Sequence, residues 1–300
     1  MPPRLPPRAA KPRIALTAGD PAGIGPEIVA AAAADARVRA ACEPVIYGGE
    51  AFAGPPGQPS AESGRAAYDT LVRAVRDAEA GRVDAIATAP VSKLAFSLAG
   101  LPWKGHTDLL GHLTGAAQVA MMFWSEPLKV VLATVHIPLA DVPAALTRER
   151  LDAIIALTAR ELPRFGGGAS PRLAMAGLNP HAGEAGVLGG EEAATIEPAL
   201  EAARARGIDI RGPFPGDTVF LRASQGEFDA VIACYHDQGL IPVKLLAFGQ
   251  SVNVTLGLPI IRTSVDHGTA FDIAGQGRAD AGSMVAAVLL AARLAADPLG

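Results

Sequence analysis

The segment IALTAGDPAGIGPE, residues 14–27, decides the fold that the sequence predicts. It begins with the apolar run Ile14–Thr17, continues through a glycine-rich turn and leads into the helix-forming residues Ile28–Ala36, which predicts strand, turn and helix. Pro26 suits the first helical turn, where its missing N–H is not needed, and Glu27 complements the positive end of the helix dipole. The turn has neither the Walker lysine nor the Gly-x-Gly-x-x-Gly spacing, so a nucleotide-binding turn and an ordinary βα turn both stay open.

The alternation of strands and helices continues along the chain. A strand is predicted at Pro44–Gly49, a loop at Ala53–Gly64, a helix at Arg65–Ala80 and a further strand at Val83–Thr88. This alternation is typical of a largely parallel sheet, so the predicted class is α/β. The other predicted elements are strands at Val119–Trp124, Val130–Val135, Leu173–Ala176 and Phe228–Ala233, helices from Leu109 and at Arg148–Leu162, Glu191–Arg206 and Ala279–Ala295, and loops at Leu101–Asp108 and Phe214–Thr218.

Length and composition limit the function classes. At 300 residues and 30.6 kDa the chain exceeds a typical single domain, which predicts one large α/β unit or two lobes. Hydrophobic residues make up 50% and charged residues 19%, as in a globular protein. A net charge of -4 argues against a general nucleic-acid binder, which would carry a basic face. With only Cys42 and Cys234, neither a disulfide framework nor a cysteine-rich zinc site is expected, and a reducing cytoplasm is the expected location.

No targeting or membrane segment is predicted. Residues Met1–Pro12 contain proline and arginine but no continuous apolar run of the kind found in secretory signals, and they are expected to form a frayed tail. The apolar stretch Met284–Ala296 is interrupted by Arg293 and is shorter than the roughly 20 residues that span a bilayer.

Three apolar runs end in a histidine. The histidines are His136, His181 and His236, and the last follows the run Ala230–Ala233 and precedes Asp237. Neutral imidazoles bind zinc and similar cations, and a catalytic metal keeps a coordination position open for water or substrate. The spacing matches no compact metal motif, so separate loop histidines, and a satisfied structural pair of His236 and Asp237, stay open as alternatives.

A possible anion site lies at the predicted start of a helix. His106 and Thr107 combine an imidazole, a hydroxyl and free backbone N–H groups, which suits a phosphate. The alternative is a helix cap formed by Thr107 or Asp108, with His106 as a bystander.

Five blocks of sequence, taken together, resemble the 4-hydroxythreonine-4-phosphate dehydrogenase family of vitamin B6 biosynthesis. They span nearly the whole chain in the expected order and are Gly19–Glu27, Gly105–Asp108, Asn179–Glu184, Tyr235–Gly239 and Ile261–Thr269. The stretch from Gly49 to Arg65 is shorter than in many relatives, and the N-terminal tail is peculiar to this chain.

The resemblance implies a set of ligand-binding residues. His136, His181 and His236 would bind a divalent metal, zinc with cobalt or magnesium as alternatives, in an active site shared across a homodimer interface. Asp217 and Asp237 are the candidates for orienting or deprotonating substrate groups, and the alternative for Asp237 is support of a metal-binding histidine. The residues that would contact the phosphorylated substrate are His106, Thr107, Lys244, Asn253 and Arg262.

The family is similar in turn to the isocitrate and isopropylmalate dehydrogenases, which implies a two-lobed fold with a mostly parallel mixed sheet and helices on both faces. Residues 1–105 plus 255–300 would form the lobe on the cofactor side, and residues 106–254 the lobe on the metal, substrate and dimer side. By analogy His267 lies near the adenine, with Gly268 in the same loop, and Asp272 lies near the adenosine ribose. A carboxylate there accepts from the ribose 2′-OH and repels a 2′-phosphate, so NAD is expected rather than NADP.

The activity implied by the resemblance is oxidation of 4-phosphooxy-L-threonine at C3 by NAD, followed by loss of CO2 to give 3-amino-2-oxopropyl phosphate. The metal would stabilise the developing alkoxide, much as zinc lowers the pKa of bound water from about 15.7 to about 7. The same residues would serve 4-phospho-D-threonate or 4-phospho-D-erythronate, which is the first alternative. The second is a metal-dependent phosphate-ester-binding protein or hydrolase without redox activity.

Overall fold

The computed structural model describes residues 11–49, 52–166 and 168–297. Within these ranges the strands are β1 Arg13–Thr17, β2 Glu43–Tyr47, β3 Ala85–Thr88, β4 Ala120–Trp124, β5 Lys129–Leu132, β6 Leu173–Ala176, β7 Ile210–Phe214, β8 Ala230–Ala233, β9 Val252–Leu256 and β10 Arg262–Ser264. The α-helices are α1 Gly25–Ala34, α2 Ala36–Ala41, α3 Ala61–Glu79, α4 Lys93–Leu98, α5 His106–Leu113, α6 Val142–Ala145, α7 Arg148–Glu161, α8 Glu197–Ala205, α9 Val219–Ser224, α10 His236–Ala247 and α11 Gly282–Ala296. No helix in the described part of the chain has the length and apolar character that a membrane crossing requires.

The chain divides into two compact units, each built from strands and helices, which confirms the predicted α/β class. The first unit comprises Met1–Ala116 and Leu258–Pro298. Its strands are all parallel, in the order β2-β1-β3-β10. Ile14 and Leu16 project from one face of β1 because side chains alternate along a strand, and they pack with Ile28 of α1 and with α11 in a buried core.

The second unit, Ala117–Gly257, has a mixed sheet in the order β9-β4-β5-β8-β6-β7. Strand β4 is antiparallel to both of its neighbours, whereas β5, β8, β6 and β7 run parallel. All four residues of β6 and of β8 are buried, which explains why these strands are continuous apolar runs. The carboxyl ends of the four parallel strands therefore meet at one edge of the sheet.

Two helices begin earlier than predicted. The predicted loop Ala53–Gly64 ends at residue 60, where the side chain of Ser60 accepts from Ser63 N at 3.1 Å and Ser63 Oγ accepts from Ser60 N at 3.0 Å. This reciprocal pair is a capping box in which serine replaces the usual glutamate, so the expected signal was missing. Helix α5 begins at His106 rather than Leu109, with Gly105 at its N-cap.

The boundary between the units also differs from the expected positions. The structure divides the chain after Ala116 and Gly257, whereas residues 105 and 254 were expected. Helix α5, with His106 and Thr107, therefore lies in the first unit, where its Leu109 is buried against Leu71 and Phe96. Residues 1–10 of the expected frayed tail lie outside the described residues. Its last residue is paired, since Pro12 O accepts from Glu43 N at 2.9 Å.

Two further expectations are corrected. The predicted strand Val130–Val135 ends at Leu132, and the predicted loop at Phe214–Thr218 begins with the last residue of strand β7. Strand β7 was missed because Gly212 and Pro213 interrupt its apolar pattern. Helix Glu191–Arg206 is present, but its first turn, Glu192–Ile196, is a π-turn that precedes α8.

Candidate active site

The parallel pairing of β5 and β8 brings His136 and His236 together in the second unit. Leu132 pairs with Ala233 at the carboxyl ends of the two strands. The pairing continues past these ends, because Thr134 donates to Cys234 O from its N at 3.1 Å and from its Oγ1 at 2.8 Å. The two imidazole rings consequently lie with their centroids 5.5 Å apart.

Gln238 joins the carboxyl ends of β8 and β6. Its Oε1 accepts from Cys234 N at 2.7 Å, and its Nε2 donates to Gly177 O at 2.7 Å. The backbone that carries His236 is thereby tied to the backbone that leads to His181. The sequence analysis assigned no role to Gln238, although its position two residues after a predicted metal-binding histidine, His236, suggested one.

His181 lies in an unusual backbone turn after β6. Residues His181–Ala185 all have positive φ, between 43° and 81°, in a left-handed turn within Pro180–Gly186. The imidazole is exposed, and its Nδ1 lies 2.8 Å from Glu184 Oε2. The turn therefore supplies both the histidine and a carboxylate that orients it.

A cleft of about 740 Å³ lies beside this turn, within the second unit. Its polar wall includes His181, Asp217, Tyr235, Asp237 and Gln238. Its apolar wall is formed by residues of α9 and α10. Both carboxylates that were predicted to act on substrate, Asp217 and Asp237, thus line one cleft with one of the predicted metal-binding histidines.

The three predicted metal-binding histidines are not assembled into one group within the chain. In the part of the chain that the structure describes, no cluster of three or more His, Cys, Asp and Glu side chains is arranged to hold a metal ion. His136 and His236 lie together, while His181 lies in the cleft with Asp237.

The donor chemistry of two of these histidines nevertheless fits a metal. Nδ1 of His236 lies 2.7 Å from Asp237 Oδ1, and Nδ1 of His181 lies 2.8 Å from Glu184 Oε2. A carboxylate at Nδ1 fixes the proton there and leaves Nε2 as the free acceptor that a cation requires. The contact of His236 with Asp237 matches both alternatives stated for this pair, a structural pair and support of a metal ligand.

In the first unit, His106 stands at the start of α5 with Thr107. No side chain among the described residues caps this helix, so the alternative of a Thr107 or Asp108 cap is wrong. The Asp108 carboxylate instead accepts from Lys104 N. His106 Nε2 is shielded from solvent and has no hydrogen-bond partner within the described ranges. Such a buried, unpartnered group fits a ligand-binding role.

Arg262 supplies a buried cation to the same unit. Its side chain is 2% exposed, and its Nη2 and Nε donate to Thr88 Oγ1 at 2.8 and 3.2 Å. Burial lowers the pKa of the guanidinium to about 9, so it stays charged at neutral pH. Burial and, secondarily, the charge of Arg262 hold the pKa of His106 well below its usual value. A cation beside a neutral imidazole suits an anionic ligand, and Thr88 was missed because a strand threonine gives no signal of its partner.

The glycine-rich turn of residues 19–27 holds the predicted cofactor loop. Glu27 accepts from Gly275 N at 2.5 Å and from Gly277 N at 3.0 Å, while Ile24 N donates to Thr269 O at 3.0 Å. A Cβ added to Gly23 would lie 2.8 Å from Thr269 O, so only glycine permits this approach. Glu27 was predicted only to complement the helix dipole, but it also binds the backbone of the predicted cofactor loop.

Within that loop, the predicted cofactor residues differ in exposure. His267 Nδ1 lies 3.0 Å from Gly268 O, and its Nε2 is buried and lacks a partner among the residues described. Asp272 is exposed, and its backbone oxygen accepts from Gln276 Nε2 at 2.9 Å. The carboxylate therefore faces solvent, where a ribose hydroxyl has access to it.

The remaining predicted substrate residues lie in the second unit. Lys244 is partly buried on α10, with its Nζ 6.0 Å from the centre of the Phe248 ring. Asn253 lies on β9 opposite Phe123, and its Oδ1 is buried with no hydrogen-bond partner in the described structure. The amide therefore has an unused acceptor.

Comparison with known proteins decides the family. The model of the family described as pyridoxal phosphate biosynthetic protein PdxA matches residues 24–291. The chain belongs to this family. It is 47% identical over 326 residues to a 4-hydroxythreonine-4-phosphate dehydrogenase from Geobacter metallireducens, an alignment that covers 95% of this chain and 96% of the relative.

Solved structures agree with the assignment to the PdxA family. The crystal structure of 4-hydroxythreonine-4-phosphate dehydrogenase from Klebsiella pneumoniae is 40% identical, with a TM-score of 0.87 and coverage of 97% of this chain and 100% of that one. A β-decarboxylating dehydrogenase from Thermococcus kodakarensis is 18% identical, with a TM-score of 0.54 and coverage of 91% and 80%. The second likeness concerns the fold alone.

Proposed function

We propose that the protein is a 4-hydroxythreonine-4-phosphate dehydrogenase of pyridoxal phosphate biosynthesis. It oxidises 4-phosphooxy-L-threonine at C3 with NAD, and the β-keto acid loses CO2 to give 3-amino-2-oxopropyl phosphate. The observation that carries the proposal is Arg262 in a member of the PdxA family, a buried cation beside the neutral His106, whose Nε2 has no hydrogen-bond partner among the described residues. A buried guanidinium, with its planar set of donors, is suited to binding a phosphate.

His106, Thr107 and Arg262 bind the phosphate in this proposal. The imidazole and the hydroxyl are hydrogen-bond donors at the start of α5, and the first backbone N–H groups of the helix add to them. Arg262 neutralises the phosphate charge. Lys244 and Asn253, which lie in the second unit, are further residues proposed to contact substrate; the amide oxygen of Asn253 has no partner in the part of the chain that the structure describes.

His136, His181 and His236 are the proposed ligands of a divalent metal, with zinc first and cobalt or magnesium as alternatives. When bound, such a cation stabilises negative charge on the substrate oxygen. Glu184 and Asp237 orient two of the rings through their Nδ1 atoms. Asp217 is exposed in the wall of the cleft that His181 and Asp237 also line, and it is the proposed proton acceptor or orienting group.

NAD is the proposed oxidant, bound by His267, Gly268 and Asp272. The support is the buried Nε2 of His267, which lacks a partner in the described residues, and the solvent-facing carboxylate of Asp272. A carboxylate at the adenosine ribose favours the 2′-OH of NAD over the 2′-phosphate of NADP.

A homodimer that completes the active site is the proposed assembly. Ile241, Leu245 and Phe248 are 67%, 84% and 80% exposed at and just after α10, an apolar surface that a second copy would cover. Within the described residues of one chain, no three potential ligand side chains are arranged to hold a metal ion, which agrees with a site that two copies share. The cytoplasmic location stays a prediction from composition.

The test follows NADH absorbance after adding NAD, a divalent metal and each of three substrates: 4-phosphooxy-L-threonine, 4-phospho-D-threonate and 4-phospho-D-erythronate. We expect turnover with the L-threonine derivative and much less with the others. A preference for either D-acid would mean that this acid, and not 4-phosphooxy-L-threonine, is the substrate. Phosphate release without NADH would instead establish a hydrolase. Arg262→Lys is the matched variant: it keeps the charge, loses the paired geometry and should raise KM more than it lowers kcat.

A further inference from the structure

A buried carboxylate lies beneath the left-handed turn that carries His181. Glu192 is 2% exposed, and its two oxygens accept from the backbone N of Asn179 at 2.7 Å and from Asn179 Nδ2 at 3.0 Å. Charged groups are rarely buried to this extent unless donors compensate them. Glu192 thus fixes Asn179, which stands two residues before His181, through both main chain and side chain.

The turn needs such an anchor because its backbone is unfavourable. His181, Ala182, Glu184 and Ala185 are non-glycine residues with φ between 43° and 53°. L-residues in this region bring Cβ too close to the following carbonyl oxygen, so such a run persists only where its surroundings hold it. Similar strain in other proteins clusters at functional sites.

The turn rests directly on the carboxylate. A Cβ added to Gly183 would lie 2.7 Å from Glu192 Oε2, and one added to Gly177 would lie 3.4 Å from Oε1. The turn closes on itself through Ala182 N, which donates to Asn179 O at 3.0 Å. Any movement of Glu192 is therefore transmitted to both the start and the middle of the turn.

We propose that Glu192 is a positioning residue for His181. It holds the strained turn in the one conformation that presents the imidazole to the cleft with Nδ1 against Glu184. The inference rests on the proposed function, because it takes His181 to be a metal ligand. Nothing in the sequence motif of His181 assigns this role to Glu192, which lies eleven residues further on.

The test measures Co2+ binding to the full-length protein by isothermal titration, with Glu192→Gln and Glu191→Gln as a matched pair. Glutamine at 192 keeps one acceptor but turns an N–H2 towards Asn179 Nδ2, so we expect the Kd for Co2+ to rise by about 10- to 100-fold. Glu191 is more exposed and contacts Asn179 only through Nδ2, at 2.8 Å. Because a glutamine oxygen can still accept that bond, Glu191→Gln should change the Kd by less than about threefold.

Further measurements separate positioning from loss of structure. The Kd for NAD without metal should be unchanged in both variants. Gly183→Ala, which keeps every charge, should weaken Co2+ binding in the same direction as Glu192→Gln. Equal Co2+ affinity in Glu192→Gln and the wild type would overturn the inference while leaving the metal site intact. Absence of Co2+ binding to the wild type, or its persistence in His181→Ala, would overturn the metal assignment itself.

Discussion

Thr88→Val tests whether the buried Arg262 is held for substrate binding. Valine has nearly the shape of threonine and suits a strand, so the change removes little besides the hydroxyl of Thr88. That hydroxyl accepts two hydrogen bonds from the guanidinium, at 2.8 and 3.2 Å, and itself donates to Ser264 Oγ at 2.9 Å. The variant therefore takes an acceptor from a cation that is 2% exposed.

The expected effect is large for the loss of one oxygen atom. A hydrogen bond to a charged group contributes about 1.5–3 kcal/mol, and a buried donor without its acceptor bears its full desolvation cost. We expect the free energy of unfolding to fall by about 2–3 kcal/mol. If the guanidinium also turns away from the phosphate, a loss of about 1.4 kcal/mol in binding corresponds to a tenfold rise in substrate Kd.

Thr263→Val is the control for this experiment. Thr263 is also fully buried on β10, but its Oγ1 donates to a neutral acceptor, Ala287 O, at 2.9 Å. Its loss should reduce stability by only about 0.5–1.5 kcal/mol and leave substrate Kd unchanged. Urea unfolding at constant m and equilibrium binding of the phosphorylated substrate give the two readouts. If Thr88→Val is no more destabilising than Thr263→Val and binds substrate as well as the wild type, the account of Arg262 is wrong.

Three further predictions concern the histidine, cofactor-loop and metal sites. The folded state depresses the pKa of His106, so the free energy of unfolding that comes from this group is fully present above pH 6.5 and falls by up to about 1.4 kcal/mol per pH unit as the pH is lowered. Urea unfolding midpoints of His106→Asn, measured against pH, should lack this decrease. If the decrease is the same as in the wild type, His106 is not the buried neutral group that causes it. Glu27→Ala removes the carboxylate that accepts from two backbone N–H groups of the predicted cofactor loop, and bonds to a carboxylate contribute about 1.5–3 kcal/mol. The Kd for NAD, measured by fluorescence titration, should therefore rise by about tenfold while the Co2+ affinity is unchanged. An unchanged Kd for NAD would show that Glu27 does not hold the loop for cofactor binding. Asp237→Asn should weaken Co2+ binding by about 10- to 100-fold, because the side chain at 237 no longer orients His236 as a carboxylate does. Asp217→Asn should lower kcat but leave the affinity for Co2+ unchanged. If both variants lose the same Co2+ affinity, the two aspartates do not have these separate roles.

Local pattern was sufficient for most of the regular structure. Leu173–Ala176 was predicted to be a strand with its observed limits, because four consecutive apolar residues bounded by Arg172 and Gly177 fit a strand buried on both faces. The start of α3 was misplaced because Ser60 and Ser63 cap each other without the usual glutamate. Strand β7 was missed because its proline and glycine imitate a loop.

The candidate site was predictable only as separate pieces. Each histidine was recognisable because it follows an apolar run, and parallel strands place their carboxyl ends along one edge. The pieces that support these residues gave no local signal. Thr88 and Arg262 are 174 residues apart, and the sequence around either residue does not predict that the two are in contact.

The sequence by itself thus determined the α/β class, the family and the types of group that the site contains. It did so because hydrophobic periodicity and short motifs are encoded in neighbouring residues. Only the tertiary structure decided that His136 and His236 lie together while His181 stands in a left-handed turn above Glu192. Hydrogen bonds act over about 3 Å, so the register of two strands and the path of one turn decide which side chains meet.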